Sequence, residues 1–143
     1  MGDVIKRLEI RSYEGEKEKR KRLYFDSGSP YTFAKKTVGQ KFKEILKLEV
    51  PKKFSGLGNG SFEADSIMHL EVRLLGFWCS HYAYVVEDEI LEEDEDLLVG
   101  HDFMQKFDVK LDLKNKSLIL NRASLKRAQK VRKIWFKIHF LGK

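Results

Sequence analysis

Apolar and polar residues alternate along several short stretches of the chain, a period of two that is typical of β-strands with one buried face. In SIMHLEVRLL, residues 66–75, the apolar residues Met, Leu, Val and Leu alternate with His, Glu and Arg. Gly76 then permits a turn into the apolar stretch FWCSHYAYVV, residues 77–86. The sequence therefore predicts two consecutive strands here.

The N-terminal part shows the same pattern on a smaller scale. VIKRLEIRSY, residues 4–13, alternates in part, and Gly15 in the following EGEKEK allows a tight reversal. We therefore predict a hairpin between residues 4–13 and residues 20–25. Its second strand ends at Asp26.

The later part of the chain contains short apolar runs and one short helix. LLV ends at Gly100 and is followed by HDFMQKF, which suits a helix, while VKLDL and SLIL flank the turn KNK. Short strands at regular spacing with one late helix indicate an all-β barrel or sandwich.

The C-terminal segment is basic. Residues 121–143 hold eight Lys and Arg and no acidic residue, whereas EDEILEEDED, residues 87–96, holds eight carboxylates in ten positions. We divide the chain into a domain over residues 1–121 and a basic extension over residues 122–143. The net charge of +6 thus belongs to the extension.

Within the extension, SLKRAQKVRK suits a helix and IWFKIHF, residues 134–140, alternates like a strand. Such a strand should be covered by the core or by a second chain, because an unpaired apolar strand promotes aggregation. The basic residues interleaved with Trp135 and Phe136 also suit nucleic-acid binding. We favour the simpler interpretation, a basic helix that balances the acidic segment.

Composition limits the class of protein. The chain has 143 residues, 42% of them hydrophobic, which suits one globular domain. Cys79 is the only cysteine, so no intrachain disulfide can form, and the N-terminus lacks the apolar core of a signal peptide. No apolar run approaches the length of about 18 residues that spans a membrane. We expect a soluble cytoplasmic protein.

Two patterns that suggest ligand sites have simpler explanations. The glycine-rich SGLGNGSF, residues 55–62, is followed by a strand, whereas a phosphate-binding loop opens a helix. His69, Cys79 and His81 offer metal-ligand atoms, but a structural zinc site needs a fourth ligand and none stands at a typical spacing. We predict no metal and no cofactor, and a pliable hairpin at the glycines.

The stretch LYFDSGSP, residues 23–30, is by itself a strand followed by a turn, since Asp, Ser, Gly and Pro are turn residues. The order of the elements adds to this. In order, the chain has a hairpin that ends in Asp-Ser-Gly, a glycine-rich hairpin, two strands, and Leu98-Val99-Gly100 before a short helix. This series of elements resembles the retropepsin-like (retroviral-type) aspartic proteases over roughly residues 4–120. The resemblance implies a small closed β-barrel with one short helix.

The resemblance also implies roles for single residues. Asp26 matches the catalytic aspartate, Ser27 matches the hydroxyl residue that braces the active-site loops across the dimer, and Gly28 matches the position along the substrate backbone. Ser29 and Pro30 continue this loop and are candidate substrate-binding residues.

Further substrate-binding positions lie elsewhere in the chain. The glycine-rich hairpin matches the flap, with Leu57 at its tip between Gly56 and Gly58, and Leu98 matches a residue of the side-chain pockets. The chain departs from viral members at Pro30 and His101, which replace an acid and its arginine partner.

One Asp-Ser-Gly per chain implies a homodimer. Peptide hydrolysis by this route needs two carboxylates that share one proton, and Asp102 is expected to be a structural partner or cap rather than the second of them. The sequence thus predicts a homodimeric aspartic endopeptidase that cleaves extended protein or peptide substrates. The alternative is a dimeric module of the same fold that binds peptides or proteins without cleaving them.

Overall fold

The computed structural model describes residues 3–12, 19–40, 42, 45–56 and 60–136. It consists mainly of strands, with two short helices and one longer helix near the C-terminus. The strands are β1 (Val4–Arg11), β2 (Lys19–Phe25), β3 (Phe33–Lys35), β4 (Ile45–Ser55), β5 (Ser61–Leu74), β6 (Phe77–Val86), β7 (Leu97–Val99), β8 (Lys110–Asp112) and β9 (Ser117–Ile119). The helices are α1 (Lys36–Gly39), α2 (His101–Lys106) and α3 (Arg122–Phe136).

Six strands form a closed barrel. They pair in the order β1-β2-β7-β3-β6-β5, and β5 pairs back to β1, with Ile10 opposite Val72. Strand β4 is attached outside this ring along β5, and β8 and β9 form a separate two-stranded sheet. The predicted all-β barrel is confirmed.

The two hairpins predicted from alternation are also confirmed. Strands β1 and β2 are antiparallel, with Val4 opposite Phe25, and β5 and β6 are antiparallel, with Leu74 opposite Phe77. The short helix predicted after Gly100 is α2. These elements depend on local patterning, which the sequence displays directly.

The pairing of β2 with β7 brings two distant loops together. These strands are parallel, with Phe25 opposite Val99, so the loops that follow them leave the sheet at the same end. The Asp-Ser-Gly turn after β2 therefore lies beside the loop at Gly100 after β7.

The barrel encloses one large apolar core. Phe25, Leu23 and Leu97 are fully buried in it, and Leu125 from α3 is fully buried as well. Helix α3 thus closes the barrel with its first turns. Further along the helix, the side-chain amide of Gln129 donates to the Trp78 carbonyl at 2.7 Å.

A second, aromatic core lies under the hairpin formed by β4 and β5. Its buried members are Phe33, Phe54, Phe62, Ala64, Val86, Leu91 and Leu98. Tyr24, Tyr31 and Tyr84 pack against it from the side. The hairpin is therefore anchored on the barrel near its turn, where Phe54 and Phe62 lie opposite each other.

The strand predicted for residues 134–140 is wrong over residues 134–136, which continue helix α3; residues 137–140 lie outside the described residues. Helix formation is cooperative, so a run rich in Lys, Arg, Ala and Gln that already forms a helix extends through a few apolar residues. Alternation over so short a stretch is weaker evidence for a strand than the preceding residues are for a helix. No helix in the described part of the chain is long and apolar enough to cross a membrane.

Candidate active site

The Asp-Ser-Gly sequence forms a tight turn that fixes the Asp26 carboxylate. The Asp26 amide donates to the Val99 carbonyl at 2.9 Å, so the turn is fastened to the end of β7. The Gly28 amide donates to Asp26 Oδ1 at 2.8 Å, and the Ser29 amide donates to the Asp26 carbonyl at 3.1 Å. One backbone donor, the Gly28 amide, therefore orients one carboxylate oxygen, and the other two bonds fix the turn.

Gly100 allows the second loop to pack against the first. A Cβ on Gly100 would lie 2.1 Å from the Tyr31 carbonyl oxygen and 2.6 Å from the Ser29 carbonyl oxygen, distances at which the backbones would have to move apart. The next residue, His101, donates its amide to the Ser29 carbonyl at 2.6 Å. Position 100 thus requires glycine because the two loops approach each other so closely.

Asp26 is half-buried, and its surroundings favour the protonated form. Burial raises the pKa of Asp26, and the neighbouring Asp3 carboxyl raises it further, while the Gly28 amide acts in the opposite direction. A half-buried carboxyl with a raised pKa suits proton transfer. The sequence did not point to Asp3, which stands outside every motif.

A network of hydrogen bonds lies beneath the two loops. The Thr32 hydroxyl donates to Asp102 Oδ1 at 2.7 Å and accepts from the Gly100 amide at 3.1 Å, and His81 Nε2 lies 2.9 Å from Asp102 Oδ2. Burial alone would raise the pKa of Asp102, but the bonds from His81 and Thr32 outweigh it and hold that pKa below its ordinary value. Asp102 therefore has the structural position that we expected.

Thr32 and His81 were not predicted for this network. Alternation along β6 shows that His81 shares the side of Cys79, but only the packing of α2 against β6 shows that it meets Asp102. No sequence pattern singled out Thr32, which is buried next to the site.

The other residues of the loop differ in exposure. Ser27, Gly28 and Pro30 are exposed, whereas Ser29 is buried and its hydroxyl donates to the Tyr31 carbonyl at 2.7 Å. His101 is exposed as well. Their proposed contacts with substrate or with a second chain remain predictions.

The predicted flap corresponds to the hairpin of β4 and β5. Ser55 pairs with Ser61, and Gly56 and Gly60 have φ of 105° and 100°, values that favour glycine. Gly56 is exposed, while Leu57 and Gly58 lie outside the described residues. The strand ends that flank the turn are therefore described, with Phe54 and Phe62 in the aromatic core, and Leu57 at the tip stays a prediction.

Leu98 is covered by the aromatic core. Its side chain is 3% exposed, and the ring of Phe54 on β4 packs edge-on against Tyr31 at 5.3 Å and Tyr84 at 4.8 Å. Lys52 Nζ lies 4.5 Å from the Tyr31 ring centroid and donates to the Tyr84 hydroxyl at 3.1 Å. Leu98 would thus reach a ligand only when the hairpin lifts from these tyrosines.

The alternative sites considered for Cys79 find no support in the geometry. Cys79 is fully buried, and burial raises the pKa of its thiol to about 12, so the thiol stays protonated at neutral pH. In the described part of the chain, no three His, Cys, Asp or Glu residues are grouped so that they could hold a metal ion.

Solved structures with a similar fold include two retroviral-type domains. The retroviral protease-like domain of Ddi1 from Leishmania major superimposes with a TM-score of 0.54 and 15% identity, covering 85% of this chain and 90% of that one. The EIAV protease complexed with the inhibitor HBY-793 gives a TM-score of 0.56 and 14% identity, covering 76% of this chain and 91% of that one.

Comparisons of the sequence itself give no match. No family model matches the chain, and no curated protein matches it. The likeness is therefore one of fold, and it agrees with the barrel, the short helix α2 and the paired loops described above. This chain has a retropepsin-like fold.

Proposed function

We propose that the protein is an aspartic endopeptidase that acts as a homodimer on extended peptide segments. The observation that carries this proposal is the Asp26 carboxyl, which is held by the Gly28 amide on a loop fastened to β7, with burial raising its pKa. Turn formation alone does not require a half-buried acid with a raised pKa at the end of a strand.

The proposed reaction needs a second Asp26 from a second copy of the chain. On a two-fold axis, the two carboxyls share one proton. The ionised one takes a proton from water, whose oxygen attacks the peptide carbonyl, and the neutral one donates its proton to the carbonyl oxygen. Breakdown of the tetrahedral intermediate then transfers a proton to the leaving nitrogen.

The fold supports the roles proposed for neighbouring residues. Ser27 is exposed beside Asp26, where its hydroxyl can reach a second copy, and Gly28 leaves room for a substrate backbone. The hairpin of β4 and β5 would close over the peptide, and apolar side chains next to the scissile bond would enter the space that opens when Phe54 leaves Tyr31 and Tyr84.

Hydrolysis of an unfolded protein tests the proposal. Wild-type protein should cleave it, and Asp26→Asn should abolish cleavage while the protein stays folded and dimeric, because an amide cannot share the proton. Asp94→Asn, at an exposed position of the acidic segment, is the matched control and should cleave normally. Full activity of Asp26→Asn would refute the mechanism.

A binding module without hydrolysis is the second candidate. Pro30 and His101 cannot form the ion pair that the resemblance places at these positions, so backbone recognition of a substrate must differ from that of viral members. For this candidate, wild-type protein and Asp26→Asn would bind a labelled peptide equally, and neither would cleave it.

A further inference from the structure

A second carboxylate of the same chain faces Asp26. Strands β1 and β2 are antiparallel with Val4 opposite Phe25, so this register, carried one residue further, places Asp3 opposite Asp26. Side chains directly opposite each other on such strands lie on one face, with Cβ atoms about 4.5–5.5 Å apart. The pairing of strands thus delivers Asp3 to the site.

Tyr24 holds Asp3 in this place. Its hydroxyl donates to Asp3 Oδ2 at 2.5 Å, and Tyr24 shares a strand face with Asp26 because it stands two residues before it. Burial raises the pKa of Tyr24, and so does the Asp3 carboxyl. The phenol therefore remains a donor across the pH range in which aspartates titrate.

The other titratable groups near Asp26 are few. Beyond Tyr24, Glu95 from the segment before β7 is buried, and burial raises its pKa. Strand β7 itself contributes Leu97–Val99, none of which titrates.

Besides burial, the Asp3 carboxyl raises the pKa of Asp26, because a negative charge beside Asp26 disfavours its ionisation. Two carboxylates at this separation repel each other when both are charged, so the pair retains a proton to higher pH than a single aspartate. The hydrogen bond from the Tyr24 hydroxyl fixes the Asp3 carboxyl at this position beside Asp26.

We propose that Asp3, held by the Tyr24 hydroxyl, is a positioning residue that keeps a proton at Asp26 and thereby sets the pH range of the reaction. The role in hydrolysis rests on the proposed function, whereas the coupling of the two carboxyls does not. In the dimer, two Asp3 carboxyls would flank the two Asp26 carboxyls, one within each chain.

The coupling is tested by following the Asp26 carboxyl carbon by NMR during a pH titration of the full chain. In Asp3→Asn the Asp26 midpoint should fall by roughly half a pH unit or more, because a neighbouring negative charge is removed. Tyr24→Phe should lower it less, because Asp3 stays in the chain but loses the hydrogen bond that holds it beside Asp26. Asp94→Asn is the matched control and should leave it unchanged.

An unchanged Asp26 midpoint in Asp3→Asn would overturn the proposal. If that variant does not fold, Tyr24→Phe decides in the same way, since Tyr24 acts on Asp26 through Asp3.

The pH profile of kcat/KM tests the role in hydrolysis. Its alkaline limb should move to lower pH in Asp3→Asn by the shift seen in the titration. A profile that stays in place would show that Asp3 has a structural role and does not set the pH range of hydrolysis. A moved midpoint in a protein that cleaves nothing at any pH would preserve the coupling and refute the proposed function.

Discussion

At the scale of single residues, the site depends on close approach and on buried hydrogen bonds. Gly100 lets the loop after β7 touch the loop after β2, and Thr32 links the Gly100 amide to Asp102. These residues carry no proposed chemistry themselves. They hold Asp26 in place, so their substitution should act first on stability.

Gly100→Ala should destabilise the protein by more than about 3 kcal/mol, because the added Cβ would overlap two backbone carbonyls that cannot rotate away. Denaturant unfolding measures the loss. Gly39→Ala is the matched control: its Cβ would meet Val85 at an ordinary 3.5 Å, so we expect a change of less than about 1 kcal/mol. Equal losses would show that Gly100 is not constrained by this contact.

Thr32→Val should cost about 1–3 kcal/mol at neutral pH, since it leaves the Gly100 amide without its partner and leaves Asp102 Oδ1 with the Phe103 amide as its remaining donor. The pKa of Asp102 is lowered by folding, so its contribution to stability is full above the ordinary aspartate pKa of about 4 and is lost as the pH falls through the folded value. The difference from wild type should therefore shrink in acid.

Unfolding measured at neutral pH and at several lower pH values tests this dependence. Thr37→Val, at an exposed position of α1, is the control and should cost little at any pH. A Thr32→Val loss that does not vary with pH would mean that Asp102 gains nothing from this hydroxyl.

At the scale of elements, the hairpin of β4 and β5 combines an exposed edge with an anchored end next to its turn. Leu46 and Val50 on β4 are 60% and 77% exposed, and lysines and Pro51 on this strand discourage pairing with other chains. Phe54 and Phe62, the second pair from the turn, are buried, with ring centroids 5.4 Å apart. Opening of the hairpin must therefore break aromatic contacts.

Phe54→Ala should destabilise the closed hairpin by about 3 kcal/mol, because it removes the ring that contacts Tyr31, Phe33 and Tyr84. Amide exchange in β4 and the start of β5 should become faster, with less change in β2. Val50→Ala on the same strand should leave exchange unchanged. Protection that persists in Phe54→Ala would show that these contacts do not hold the hairpin down.

At the scale of the whole molecule, the proposed dimer requires an apolar face beside the site. Ile5 on β1 is 44% exposed and Ile119 on β9 is 51% exposed, and these two strands are in contact. The sheet of β8 and β9 packs its Leu111 and Leu118 on the core. An exposed apolar side chain on its other side is available to a second copy.

Ile119→Lys should weaken the dimer at least about tenfold, because a charged side chain would be buried in the interface, while the unfolding free energy of the single chain should change little. Sedimentation measures the dimer, and hydrolysis should recover at higher protein concentration by mass action. Val50→Lys on the far edge is the control. A dimer unaffected by Ile119→Lys would place the interface elsewhere.

The sequence by itself determined the strands, the turn at Asp-Ser-Gly and the short helix, since alternation, glycine position and turn residues act over a few neighbours. It also placed Asp26 at the end of a strand and marked Leu98-Val99-Gly100. Strands β3 and β4 and helix α1 were less visible, because a three-residue buried strand has no period and β4 is an exposed edge.

Only the tertiary structure decided which distant residues meet. Asp3 faces Asp26 through the register of β1 and β2, and Thr32 and His81 meet at Asp102 through packing of β3, β6 and α2. Residues 134–136 joined helix α3 although their pattern favoured a strand. Register, close approach and cooperative helix extension depend on free energies summed over many contacts, and no local pattern records them.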